Sequence, residues 1–202
     1  MTAAKRIEKL QKLINVILTA KGHKLISVDG VLGPETLRGF GKAYDLNRVQ
    51  IIQTFANMHH ESGGFTIGRE SMYYTTLSRL MQIFGVGRHS AKITREEAPS
   101  LLRNSYALAE RVYGIGNPSK AKELGNNLAG DGYKYRGGGA LQLTGKWAYN
   151  KVSEMLNLDL VNNPELINNE AYFTSAFAEF QYSNIWEAMT SLNQDKDRKS
   201  VV

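Results

Sequence analysis

Phe55-Ala-Asn-Met-His-His-Glu-Ser-Gly-Gly-Phe65, followed after three residues by Arg69-Glu70-Ser-Met-Tyr-Tyr74, is the densest chemical stretch of the chain. The spacing predicts a helix from about Asn47 to His60, with Val49, Ile52, Phe55 and Ala56 turned inward. Glu61 and Glu70 are nine residues apart, and nine helical steps of about 100° would set them on opposite faces. Gly63-Gly64 removes that outcome by ending the helix just after Glu61, and Gly68 adds further freedom. The chain can then fold back and turn Glu70 toward Glu61. Two facing carboxyls are what glycosidic cleavage needs, one protonated to release the leaving oxygen and one ionised to activate water or attack. Two surface glutamates beside a turn would give the same spacing.

Adjacent His59 and His60 do not make a zinc site from a helix, because neighbouring side chains diverge by about 100°. Helical zinc peptidases space their histidines four apart. With His23 and His89 as the other imidazoles in the sequence, no metal site is expected. His60 reads as a hydrogen-bonding neighbour of the carboxylate, and His59 as a packed side chain.

Working outward, Ile7, Leu10, Leu13, Ile14, Ile17 and Leu18 recur at helical spacing and predict an amphipathic helix over 4–20. Asp29-Gly30 marks a turn, and Pro34 suits the first position of a short helix. Further helices are expected over 75–84, 106–113, 146–157 and 169–184, with Thr94-Arg-Glu-Glu97 as a capping box. Residues 114–139 read as a loop, Ala140-Leu-Gln-Leu143 as the best strand signal, and 193–202 as a charged tail. The chain reads as mainly α, without an internal repeat.

A second constellation runs from Gly130 to Trp147: Gly-Asp-Gly-Tyr-Lys-Tyr-Arg-Gly-Gly-Gly-Ala-Leu-Gln-Leu-Thr-Gly-Lys-Trp. It is not a phosphate loop, because five residues separate Gly139 from Gly145 and Trp147 follows the lysine where Ser or Thr is required. What remains is a backbone that a ligand can approach closely, with Tyr133, Tyr135, Arg136, Gln142 and Thr144 beside it. Tyrosines stack on sugar rings, Gln and Thr hydrogen-bond hydroxyls or water, and an arginine tunes a carboxylate. A long surface loop with aromatic anchors is the plainer reading.

Composition narrows the classes. The 202 residues carry 25 basic and 19 acidic side chains, and 42% are apolar, which suits a globular chain with a sizeable core. No cysteine is present, so disulfides, thiol catalysis and iron–sulfur clusters are excluded. No apolar run approaches the roughly 20 residues that span a bilayer, so no stable membrane insertion is expected. The N-terminus reads as lacking a signal peptide. Residues 1–45 hold eight basic and four acidic side chains, most of the net charge of +6. Such a patch favours an anionic envelope, a membrane surface or nucleic acid, or is a solvated helix face. Specific nucleic-acid binding is not expected, since no aromatic–basic platform accompanies it.

Taken together, these stretches resemble glycoside hydrolase family 19, in particular its phage endolysin branch. His60 to Phe65 matches the family's His-Glu-Ser-Gly-Gly-Phe pattern, Glu70 to Thr75 matches a second at its glutamate and tyrosine, and Gly130 to Gly145 matches a third closely. Asn163-Pro-Glu-Leu166 and the helix after it also look like the family's. The resemblance covers about residues 50–195. It implies a mainly α, lysozyme-like α+β fold with a substrate cleft and a small β element. The implied activity is inverting cleavage of β-1,4 bonds in peptidoglycan glycan strands, with chitin as the alternative substrate and a catalytically weakened wall-binding protein as the other reading. Glu61 would be the general acid, Glu70 the general base, and His60, Tyr74, Tyr135, Arg136, Gln142 and Thr144 would bind sugar or water. No cofactor is implied, and a monomer is expected. Synthesis in a host cytoplasm without a signal peptide would leave wall access, and action in the periplasm, to a holin-type lesion.

Three departures stand out. Gly138 replaces a usual arginine, Ala148 a usual asparagine, and the chain stops soon after Leu192, where relatives often continue. At the other end, Leu10-Gln-Lys-Leu13 with Asp29 to Thr36 is similar to a small peptidoglycan-binding module. The expected division is therefore an N-terminal helical segment at 1–45, binding peptidoglycan or simply part of the one domain, and a catalytic domain at 46–202.

Overall fold

The structure is a computed structural model that describes residues 1–189, so the tail expected over 193–202 lies outside the described residues. The fold is mainly α. Helix α1 (Ala3–Ala20) is capped by Thr2 and buries Ile7, Leu10, Gln11, Ile14 and Leu18 along one stripe. Helix α2 (Pro34–Tyr44) opens with Pro34 in its first turn and ends at Asp45 in the left-handed conformation. Between them, buried Gln11 organises the Asp29–Thr36 turn. Its amide nitrogen reaches Asp29 Oδ1 at 2.7 Å and Thr36 Oγ1 at 2.9 Å, and its oxygen accepts from the Asp29 and Gly30 N–H groups. Much of the polar content of that motif is thus spent on closing a turn onto α1.

Helix α3 (Arg48–Glu61) starts with a reciprocal capping box between Asn47 and Gln50. Its buried face is Gln50, Thr54, Phe55 and Met58. Of the residues expected inward, Phe55 is buried and Val49 half-buried, whereas Ile52 is 50% exposed and Ala56 is exposed. The polar groups at 50 and 54 reach Trp186: Gln50 donates to its carbonyl and the indole N–H donates to Thr54 Oγ1 at 2.8 Å. A hydropathy pattern does not register such pairing.

Helices α4 (Leu77–Phe84), α5 (Ala98–Leu101) and α6 (Ser105–Tyr113) follow. The Thr94–Glu97 box forms in both directions, but it closes a turn ahead of α5. The stretch expected as loop contains α7 (Pro118–Leu124) and the single turn α8 (Asp131–Lys134). Glycines and asparagines flank α7, but Pro118 starts it and Gly125, at φ 72°, ends it. Then come α9 (Lys146–Leu156), a 3₁₀ turn (Pro164–Asn168) and α10 (Thr174–Tyr182), which begins five residues later than expected.

Residues 140–143 do not form a strand. They turn tightly so that Leu143 exchanges both backbone hydrogen bonds with Gly138, at 2.7 and 3.1 Å. Gly138 also bridges to Arg69, and with a separate bridge between Gly85 and Ile93 this is the β structure among the described residues.

Three buried clusters result. One joins Ile7, Leu10, Ile14, Leu18 and Phe40 to Phe55, Met58, Phe65, Tyr172 and Phe177. A second gathers Met72, Leu80, Phe84, Ile93 and Leu108. The third centres on Tyr135, Tyr149, Val152 and Ile167. Residues on both sides of position 45 share the first cluster, so α1 and α2 pack as continuous parts of the core that supports α3. No helix among the described residues is long and apolar enough to cross a membrane.

Candidate active site

Glu61 is the last residue of α3, and a left-handed run follows it: Gly63 at φ 54°, Gly64 at φ 70° and Phe65 at φ 63°. Glycine meets this geometry without strain, whereas Phe65 must be held in it. Ser62 supplies part of the hold. Its hydroxyl donates to the Met58 carbonyl at 2.5 Å and accepts from the Phe65 N–H at 2.9 Å. The strap 62–70 therefore carries the chain from Glu61 to Glu70, and both line one cleft.

That cleft, of about 600 Å³, is lined by Glu61, Glu70, Tyr113, Gly137, Gln142 and Thr144, with strap residues 66–69 and Ser71 as its remaining wall. The two carboxyls singled out in the sequence are thus brought to one cavity. A further hollow of about 350 Å³ continues past Glu70 along 71–76 to Arg79 and includes Tyr74.

The backbone of Glu70 is clamped at both peptide groups. Its N–H donates to the Gly137 carbonyl at 2.8 Å, and its carbonyl accepts from Arg136 Nε at 3.0 Å. Its Oε1 accepts from the Tyr113 hydroxyl at 3.1 Å. Burial raises the Glu70 carboxyl above its ordinary range, while the Tyr113 hydroxyl, a Gly137 backbone hydrogen bond and the Arg136 charge pull it back. The same proximity pushes the Tyr113 phenol up, first through burial and then through the Glu70 charge.

Gly137 leaves the site open. A Cβ there would stand 3.0 Å from Gln142 Oε1 and 3.4 Å from Glu70 Oε2. Gln142 sits at φ 56°, with its Nε2 donating to the Gly139 carbonyl at 2.9 Å, and Thr144 donates to the Gln142 carbonyl at 2.8 Å. Both are partly exposed in the cleft wall.

Other expected site residues lie elsewhere. Tyr135 is 1% exposed, stacks edge-on against Tyr149 and donates its hydroxyl to the Val161 carbonyl. It is a core residue, not a cleft residue, because its ring packs in the third cluster with Tyr149, Val152 and Ile167. His60 is exposed on α3 beside Glu61 and outside the cleft lining. Arg136 spends its guanidinium on the Glu70 and Tyr133 carbonyls and lies 4.0 Å over the Tyr133 ring, so it positions Glu70 from behind. Tyr74 packs against Phe84 and edges the hollow beyond Glu70.

Two of the sequence departures acquire a physical meaning. A side chain at Gly138 would meet Ile167 at 2.7 Å, the Tyr149 hydroxyl at 2.8 Å and Arg69 Cδ at 3.0 Å. The room for an arginine at 138 is thus already filled, in part by Arg69, whose guanidinium donates to the Lys134 and Pro164 carbonyls. Ala148 is buried in the third cluster on α9, away from the cleft.

Two residues were missed in the sequence. Tyr113, at the end of α6, carried no local signal. Glu179 did carry one, as an acid inside the otherwise buried run Phe177-Ala-Glu-Phe180 of α10. Its Oε2 is buried without a hydrogen-bond partner. Burial, and then the charge of Glu61, push its carboxyl up to about 7.

The chain matches no family model. A curated protein of Haemophilus influenzae (strain ATCC 51907 / DSM 11121 / KW20 / Rd), named glycosyl hydrolase family 19 domain-containing protein, is 34% identical to it over 123 residues. The chain is similar to that protein. The match takes in 59% of this chain and 54% of the relative, so the chain spans about half the length of the protein it matches.

Proposed function

We propose that the chain is an endolysin-type glycoside hydrolase of family 19 that cleaves β-1,4 bonds of peptidoglycan with inversion. The observation that carries the reading is the sharing of one cleft by Glu61 and Glu70, with Gln142 and Thr144 in the same lining. The named family of the similar protein supports a glycosidase. The order of the motifs at 60–65, 70–75 and 130–145 supports the endolysin branch.

In this reading the glycan lies across the cleft, and Glu61, at its mouth, protonates the departing oxygen. Glu70 takes a proton from the water that attacks the opposite face of the sugar ring. Inversion needs room for that water, a carboxyl separation of about 6.5–9.5 Å. Burial makes Glu70 a stronger base, while Tyr113 and Arg136 favour its ionised form. Gln142, close to Glu70 across Gly137, and Thr144 offer hydrogen bonds to the water or to sugar hydroxyls. The exposed apolar side chains of Leu25, Val28 and Val31, in and just before the Asp29–Thr36 turn, support a wall-contacting role for residues 1–45. Val31→Asp should lower pelleting with sacculi, and unchanged pelleting would overturn that role.

The deciding experiment digests purified Gram-negative sacculi with wild type and Glu61→Gln, and identifies fragments by mass spectrometry after borohydride reduction. Reduced N-acetylmuramic acid ends released by wild type alone are expected. Reduced N-acetylglucosamine ends would move the bond that is cut. Equal release by the variant would overturn the assignment of Glu61, and no release by either would overturn the peptidoglycan reading.

A further inference from the structure

Arg6, on α1, is 4% exposed, an unusual setting for a guanidinium. Its Nη1 donates to the Phe65 carbonyl at 2.6 Å, its guanidinium carbon lies 4.2 Å from the centre of the Tyr172 ring, and its Nε is buried without a partner. A buried cation whose hydrogen bond goes to a neutral carbonyl is an expensive way to fill a core. Phe65 is also the non-glycine residue that closes the left-handed run after Glu61.

The surroundings tie the same strap down at adjacent points. Tyr172, beneath the guanidinium, donates its hydroxyl to the Ile67 carbonyl at 3.0 Å. Gly139 donates to the Gly68 carbonyl at 3.0 Å. A Cβ on Gly68 would stand 2.6 Å from Arg6 Nη2, so strap and guanidinium touch over several residues. The carbonyls of 65, 67 and 68 are thus each held from outside the strap, and Arg6 holds the first.

We propose that Arg6 is a positioning residue of the glycosidase reaction, setting the course of strap 62–70 and with it the placement of Glu70 relative to Glu61. The proposal rests on the acid–base reading of those two carboxyls. It makes Arg6 the point at which α1 bears on the strap, whatever the N-terminal segment contributes to wall binding.

The test uses the full chain with Arg6→Met, Arg6→Lys and, as a control on the same helix, Ile14→Val. Ile14 is fully buried in the core that α1 shares. Amide hydrogen exchange over 65–70 is measured beside kcat and KM on solubilised glycan strands. Arg6→Met should speed exchange in that segment about tenfold and lower kcat by about 10- to 100-fold, the scale of a small misplacement of reacting groups, with KM within about twofold. Arg6→Lys, which keeps a donor but not the planar stack, should fall between, and it carries the comparison if Arg6→Met does not fold. Ile14→Val should lower Tm while leaving both the strap and kcat unchanged. Unchanged exchange in the Arg6 variants, or faster exchange with unchanged kcat, overturns the proposal. A wild type without hydrolytic activity overturns the functional reading instead, and the exchange data alone then decide whether Arg6 holds the strap.

Discussion

The Tyr113 hydroxyl donates to Glu70 Oε1 at 3.1 Å, joining the end of α6 to a carboxyl 43 residues earlier in the chain. A hydrogen bond of this kind favours the ionised carboxylate. Tyr113→Phe therefore raises the Glu70 pKa further. A base must be ionised to act, so the acidic limb of the kcat/KM profile should move to higher pH. The loss is expected to be larger at pH 5 than at pH 8, and a pH–rate profile of the two proteins checks it.

Glu70→Gln should lower turnover by about 10²–10⁴-fold, the usual contribution of a general base. It should also stabilise the protein above neutral pH, since burial disfavours the carboxylate it removes. Opposite signs for activity and for Tm at pH 8 are the expected signature. A variant that loses both would mark Glu70 as structural.

Glu179 should dominate another pH effect. Its folded pKa of about 7 exceeds the ordinary 4.5, so between those values the folded state holds more protons than the unfolded one. Its contribution to stability is greatest below pH 4.5 and is lost as pH rises through about 7, by about 3 kcal/mol. Denaturant melts from pH 4.5 to 8 should show a decline in wild type that Glu179→Gln flattens. Glu70 adds a decline of the same sign, so the flattening is partial.

The glycines of the loop should separate by role. Gly137→Ala places a methyl between Gln142 and Glu70, and activity should drop with little change in Tm. Gly138→Arg forces a side chain against Ile167, Tyr149 and Arg69, and should cost about 1–3 kcal/mol or more by overpacking. Thermal melts and turnover on one substrate distinguish the two.

Removing residues 1–44 should unfold the protein. Ile7, Leu10, Ile14, Leu18 and Phe40 leave the first cluster together. Each is worth about 1.5–3 kcal/mol when buried, against a typical total stability of about 5–15 kcal/mol. Loss of the cooperative melt is expected, and a truncated protein that melts like the full chain would contradict the shared core.

Much of the helical layout was legible in the chain. The stripe of α1, Pro34 at the start of α2 and the glycines after Glu61 act through local rules of periodicity and backbone freedom. Those rules carried less information where polar residues were buried. Gln50 and Thr54 occupy the inner face of α3 because Trp186 meets them there, and α7 was hidden by its glycine- and asparagine-rich flanks.

Residue identity alone was enough to set the break after Glu61, the open backbone around Gly137 and the two carboxyls that the strap can bring together. These follow from which backbone angles each residue tolerates. Only the tertiary structure decided that Tyr113 supports Glu70, that Glu179 lies in the field of Glu61, that Tyr135 belongs to the core, and that Arg6 reaches Phe65 across 59 residues. Each of these depends on which elements meet. A side chain's hydrogen-bond partner and its exposure to water are properties of the packed neighbourhood, and no local preference encodes them.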